Sequence, residues 1–164
     1  MKRGRIVWAF LVVGLLLAMP GNGFGDSGDA IVGVWNTADN DAKIEMYRCG
    51  AGYCGRIVHL ERATYPPDDK HGMAGLPVVD RNNPNPALRR RPLLGLTFIE
   101  GFQYQGEKVW DGGRIYNPEN GKIYKARISL ADGDHILFRG YWGISLLGRT
   151  ETWVRIASDN NAGA

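Results

Sequence analysis

Apolar and polar positions alternate along most of this chain, and they do so in short runs. Lys122–Leu130 shows the pattern most cleanly. Tyr124, Ala126, Ile128 and Leu130 fall on one face, and Lys125, Arg127 and Ser129 on the other. A period of two residues is that of a β-strand, whose successive side chains point to opposite sides. The same period predicts strands at Ile31–Asn36, Lys43–Arg48, Cys54–Leu60, Leu93–Tyr104, His135–Trp142 and Arg149–Ile156. Within Lys43–Arg48, Ile44 and Met46 oppose Lys43 and Glu45. Within His135–Trp142, the apolar face is Ile136, Phe138 and Trp142. Lys108–Asp111 and Gly113–Tyr116 read as two short pieces around a Gly-Gly kink. Turn-forming residues punctuate the runs at Asn117–Gly121, Ala131–Asp134 and Gly143–Gly148.

Residues 61–91 break the rhythm. Pro66, Pro67, Pro77, Pro84 and Pro86 stand among many polar residues, with one helical turn expected at Ala87–Arg90. So long an excursion in a compact domain points to a functional loop or a lid. The rest gives about eight or nine hairpin-linked strands, each with one oily face. Such strands need a second sheet or closure on themselves. The expected fold is therefore all-β, an antiparallel up-and-down β-barrel, with a sandwich as the other arrangement. A barrel of about eight strands holds packed side chains or one small ligand.

The N-terminus changes the charge picture. Lys2, Arg3 and Arg5 precede the apolar run Ile6–Met19, and the small residues Gly23 and Gly25 stand at positions −3 and −1 of a cleavage point before Asp26. This is the pattern of a secretory signal peptide over 1–25, and the run is shorter than the roughly 20 residues of a membrane span. No transmembrane segment is expected after cleavage. The domain then spans 26–157, with a frayed tail at 158–164. The full chain carries 20 Lys+Arg against 17 Asp+Glu, and losing three basic residues leaves 17 against 17. The apparent basicity belongs to the leader, so nucleic acid is not an expected partner. Arg89, Arg90 and Arg91 read as a solvated turn face. In an exported chain, Cys49 and Cys54 flank a Gly-rich hairpin tip and are expected to form a disulfide.

Two resemblances rest on particular residues. Gly33-Val34-Trp35, in the first strand after the leader, resembles the Gly-x-Trp start of lipocalins and other calycins. That resemblance implies a basic residue from the last strand packed over the Trp, and Arg155 in Trp153-Val154-Arg155 is the candidate. More broadly, residues 31–156 resemble a bacterial family of small exported proteins catalogued as a domain of unknown function. The matching segments are Gly33–Trp35, Cys54–Val58, Arg91–Gly95, Gly113–Pro118, Gly121–Tyr124 and Gly148–Trp153. The resemblance implies a periplasmic, lipocalin-like barrel and supplies neither reaction nor ligand.

No catalytic set is read from the chain. His59, His71 and His135 have no zinc-protease spacing, and no Gly-x-Ser-x-Gly elbow occurs. Asp68, Asp69 and His71 with His59 read as solvated loop polarity, and Asp80, Asn82, Asn83 and Asn85 as plain turns lacking a calcium loop's glutamate. Glu107 and Asp111 read as surface charge. No metal or cofactor is expected. Trp110, Tyr116, Tyr124, Phe138, Tyr141 and Trp142 are either barrel core or the lining of a cavity. In the second reading Trp110, Arg114, Tyr116, Asn117, Tyr124, Phe138 and Trp142 hold a small apolar or amphipathic ligand. Arg91 is an anion contact or a buried guanidinium bonding loop carbonyls. The expected function is a periplasmic ligand-binding protein. Its rival is a non-enzymatic envelope module with a filled barrel, and an enzyme ranks last. Ligand identity, partner and oligomeric state stay open.

Overall fold

Eight strands pair in sequence order, and the last returns to the first. In the computed structural model, which describes residues 27–141 and 149–157, these are β1 (Gly33–Asn36), β2 (Ala42–Cys49), β3 (Gly52–Leu60), β4 (Thr97–Gly106), β5 (Val109–Asn117), β6 (Lys122–Leu130), β7 (His135–Tyr141) and β8 (Arg149–Arg155). Residues 1–26, 142–148 and 158–164, on which the expected leader, Trp142, the expected turn at 143–148 and the expected tail fall, lie outside the described residues. Every neighbouring pair is antiparallel, and β1 pairs with β8 through Trp35↔Arg155 and Asn36↔Val154. The sheet is a closed up-and-down barrel, not a sandwich. Its inward positions supply the core, with Trp35, Ile44, Ile99, Phe102, Trp110 and Ile128 almost wholly enclosed.

One end of the barrel is plugged. A 3₁₀ turn at Gly28–Ile31 crosses it. The Trp35 indole donates to the Ile31 carbonyl at 2.8 Å, and the Trp110 indole donates to the Gly28 carbonyl at 3.0 Å. The Arg155 guanidinium lies 4.1 Å above the Trp35 ring. It also donates to the carbonyls of Gly133 at 2.9 Å, Val32 at 2.9 Å and Ala30 at 2.5 Å. Burial pulls its pKa below the usual arginine value, with Asp134 opposing the shift. Gly33 makes the approach possible. Its φ is +136°, and a Cβ there would meet Arg155 Nη1 at 2.7 Å.

Several predicted boundaries move, each for a local reason. The first strand starts at Gly33 instead of Ile31, because residues 28–31 wind into the plug. β4 starts at Thr97 instead of Leu93, because Leu93 N–H bonds to the Val78 carbonyl and Leu96 N–H turns back to Leu93. The two pieces at 108–116 are one strand with a bulge. Trp110 faces Ile128 and Gly113 faces Ala126, so Asp111 and Gly112 together oppose Arg127. Gly112 takes φ +76°, and the Phe102 ring fills the space that a Cβ on Gly113 would need. At the β2–β3 tip, Cys49 pairs with Gly52 across Gly50-Ala51, and the Cys49–Cys54 disulfide spans the hairpin with a Cα separation of 5.8 Å.

The excursion between β3 and β4 is ordered by its own contacts. Thr64 bridges Pro77 and Val79 bridges Pro92, and a 3₁₀ turn forms at Pro86–Leu88. The Asp69 carboxylate accepts the N–H groups of His71 at 2.9 Å and Met73 at 3.1 Å, with Arg81 beside it. Those backbone donors, that of Met73 foremost, hold the Asp69 pKa below the usual carboxylate range.

Candidate functional site: the open mouth of the barrel

Among the described residues, the end opposite the plug is open. It is built from the β1–β2 connection, the ends of β3 and β5, the starts of β4, β6 and β8, and the returning excursion. A cavity of about 580 Å3 occupies it. This falls within the roughly 300–1,000 Å3 of small-molecule sites. The floor is apolar, with Ile44, Ile57, Phe98, Ile115, Phe138 and Trp153. Phe138 and Trp153 stack with ring centroids 4.5 Å apart. The rim is polar and carries Thr37, Asp39, Asp41, Glu119, Arg149 and Glu151.

The residues expected to line a site divide between the two ends. Tyr116, Asn117, Tyr124 and Phe138 all border the mouth. Asn117 holds the β5–β6 turn by accepting Glu119 N–H at 2.8 Å, and the Tyr124 hydroxyl bonds to the Asn120 amide at 3.0 Å. Trp110 lies elsewhere. It is fully enclosed above the plug, packed between Tyr53 and Tyr104. Arg114 is exposed on the outer surface, between Glu100 and Lys125 in register. The bulge at Asp111–Gly112 explains this phase. It lets Trp110 and Gly113 both face inward, and the next residue must face outward. Trp142 lies outside the described residues. Sequence reasoning missed Leu93, Phe98, Asp39, Asp41 and Glu151. Only Glu151 left a readable signal, being in phase with Trp153 on β8.

A polar lock holds the excursion against the barrel wall beside the mouth. Asp80 is completely buried. Its carboxylate accepts the Tyr116 hydroxyl at 2.5 Å, the Asn83 amide at 2.7 Å and the Arg91 guanidinium at 2.8 Å. Arg91 also lies 5.5 Å from the Tyr116 ring centroid. Burial, then the Asp80 carboxylate, push the Tyr116 pKa above that of a free tyrosine. Arg91 thus pairs with a carboxylate, where the sequence suggested an external anion or loop carbonyls. Asn82 donates to the Pro118 and Glu119 carbonyls at 3.2 and 2.8 Å. Arg89 bonds the Asn83 carbonyl at 2.7 Å. The oxygen-rich run at 80–85 is spent on clasps between loops. Among the described residues, no three His, Cys, Asp or Glu side chains form a metal-sized cluster, and no helix is long and apolar enough to cross a membrane.

The fold has a solved counterpart. The chain superposes on a structure titled "Protein HP1028 from the human pathogen Helicobacter pylori belongs to the lipocalin family", with a TM-score of 0.66 and 22% identity over 79% of this chain and 84% of that one. That level of identity speaks to fold alone, and the fold is a lipocalin-like barrel. A search of curated proteins gives no match. The family model described as "Uncharacterized protein conserved in bacteria (DUF2147)" matches residues 33–155, from the Gly-x-Trp glycine to the arginine that covers the Trp, and the chain belongs to that family.

Proposed function

We propose that this chain is an exported, periplasmic lipocalin-like protein that holds a small apolar or amphipathic ligand in the barrel mouth. The observation that carries this reading is the half-filled interior. Aromatic and aliphatic side chains pack the plugged half, while among the described residues about 580 Å3 stays open above an apolar floor at the other end. A filled structural module has no use for that space, because interiors otherwise pack to crystal-like density. The reading is non-enzymatic. The ionisable groups among the described lining residues are Asp39, Asp41, Tyr116, Glu119, Tyr124, Arg149 and Glu151, with no histidine or cysteine among them. The hydroxyls of Tyr116 and Tyr124 are tied to Asp80 and Asn120.

Native mass spectrometry of the protein purified from periplasm tests the ligand. Added mass on the wild type that disappears in Gly140→Leu supports the proposal. Gly140 opposes Arg149 in register at the mouth, and a Cβ there would sit 3.7 Å from Ile115, so a leucine fits while filling cavity space. An unliganded wild type that also fails to take up any apolar probe would favour the structural module. Export is supported by the leader pattern and by the Cys49–Cys54 disulfide, which needs an oxidising compartment to persist. N-terminal sequencing of the exported product should begin near Asp26. A membrane-held product retaining Met1 would refute export by cleavage.

A further inference from the structure

We propose that the mouth selects amphiphiles with a cationic head, an ammonium group held by Glu151 together with the rim carboxylates. This rests on the reading of the mouth as a ligand cavity and adds the chemistry of the ligand's polar end.

The argument starts from the phase of β8. Arg149, Glu151, Trp153 and Arg155 oppose Gly140, Phe138, Ile136 and Trp35, all positions on the inner wall. Glu151 is therefore a carboxylate built into the barrel lining, directly across from Phe138. Its Oε2 lies 3.4 Å from the Trp153 indole nitrogen, a long bond, and its Oε1 lies 3.6 Å from Arg149. Both side chains of that pair reach water, Arg149 at 80% and Glu151 at 36% exposure, so the pair is screened and holds neither charge firmly.

The rim points the same way. Asp39, Asp41 and Glu119 stand around the opening, and Arg149 is the one cationic side chain among the described lining residues. Asp41 also accepts the Thr37 hydroxyl at 2.5 Å, which fixes its loop. A fatty-acid head would face four carboxylates. An ammonium head would find them as partners, so the same charges attract one class and repel the other. Beneath Glu151, the stacked Phe138 and Trp153 offer aromatic surface, which suits the polarised methylene or methyl groups beside an ammonium nitrogen. The ligand's chain would then run down over Ile44, Ile57 and Ile115.

Three probes of equal chain length separate the possibilities: dodecyltrimethylammonium, laurate and dodecyl maltoside. Each is titrated below its micelle concentration by calorimetry and tryptophan fluorescence. The ammonium probe should bind about tenfold tighter than laurate, and Glu151→Gln should reduce that ratio by about tenfold. Should Glu151→Gln fail to fold, Asp39→Asn combined with Glu119→Gln at the exposed rim should lower the ratio in the same direction. Laurate binding as tightly as the ammonium probe, or a ratio unmoved by these changes, overturns the cationic preference while the cavity reading stands. Failure of all three probes to bind removes the cavity reading and this inference with it.

Discussion

Gly33, Trp35 and Arg155 form one unit, because each position is needed by the next. The indole needs a cover, the guanidinium needs carbonyl acceptors, and the backbone at residue 33 must leave room for it. Arg155→Ala should lower stability by roughly 1–3 kcal/mol through lost stacking and three unpaired carbonyls. Lys should restore only part of this, since it keeps the charge and loses the planar fork. Gly33→Ala should cost about 2 kcal/mol by forcing a side chain onto φ +136° and against Arg155. Chemical denaturation of the three variants checks the order. Three carboxylates among the described residues contribute to the acid behaviour. Asp29 is held below its ordinary pKa chiefly by its bond to Arg48, Asp69 by the Met73 N–H, and Asp132 by the Asp134 N–H. A carboxylate whose folded pKa is depressed stabilises the fold above its unfolded pKa, and that contribution is lost as pH falls through the folded value. Stability should therefore decline as pH drops below about 4. Carboxyl chemical shifts should show these three titrating below the ordinary aspartate range.

Each element carries its own constraint, and some were visible in the sequence. The disulfide closes a short loop, so reducing it should cost about 2 kcal/mol, at the low end for such bonds. Unfolded but unreduced protein should show no alkylatable thiol. The excursion is held by buried charge, and Asp80→Ala strands both Arg91 and the Tyr116 hydroxyl. That variant should lose roughly 2–4 kcal/mol and become sensitive to limited proteolysis within residues 61–91. A cleavage pattern equal to the wild type would show that the excursion is held by something else. Alternation and turn residues made six of the strands legible to within two or three residues, because one wet and one dry face impose a period of two. They could not show the bulge on β5, which depends on the Phe102 ring lying against Gly113. For that reason Trp110 and Arg114 looked like companions of Tyr116, although one faces the plug and the other faces water. The Asp80 lock was illegible for a similar reason. Its members lie at 80, 83, 91 and 116, and only the docking of a proline-rich excursion onto the outer wall brings them together.

At the scale of the whole molecule, closure depends on its thinnest seam. β1 has four residues, and its ladder to β8 consists of Trp35↔Arg155 and Asn36↔Val154, whereas β6 and β7 share six such pairs. So short a ladder gives little cooperative backbone bonding. The seam is held instead by the side chain of Arg155, which ties β8 to the plug at Ala30 and Val32 and to the β6–β7 turn at Gly133. One backbone bond extends the seam, from Ile156 N–H to the Val34 carbonyl at 2.8 Å. The barrel should therefore open first along β1–β8, in a local opening with a lower free energy than global unfolding. Native-state hydrogen exchange should show the Ile156 and Asn36 amides exchanging faster than those of Arg127 and Ile128. Arg155→Ala should widen this difference, because removing the clamp weakens the seam more than the six-pair ladder. If all these amides instead exchange together, at the rate set by global unfolding, the barrel opens as a single unit. The Trp–Arg clamp would then serve overall stability without specially guarding closure.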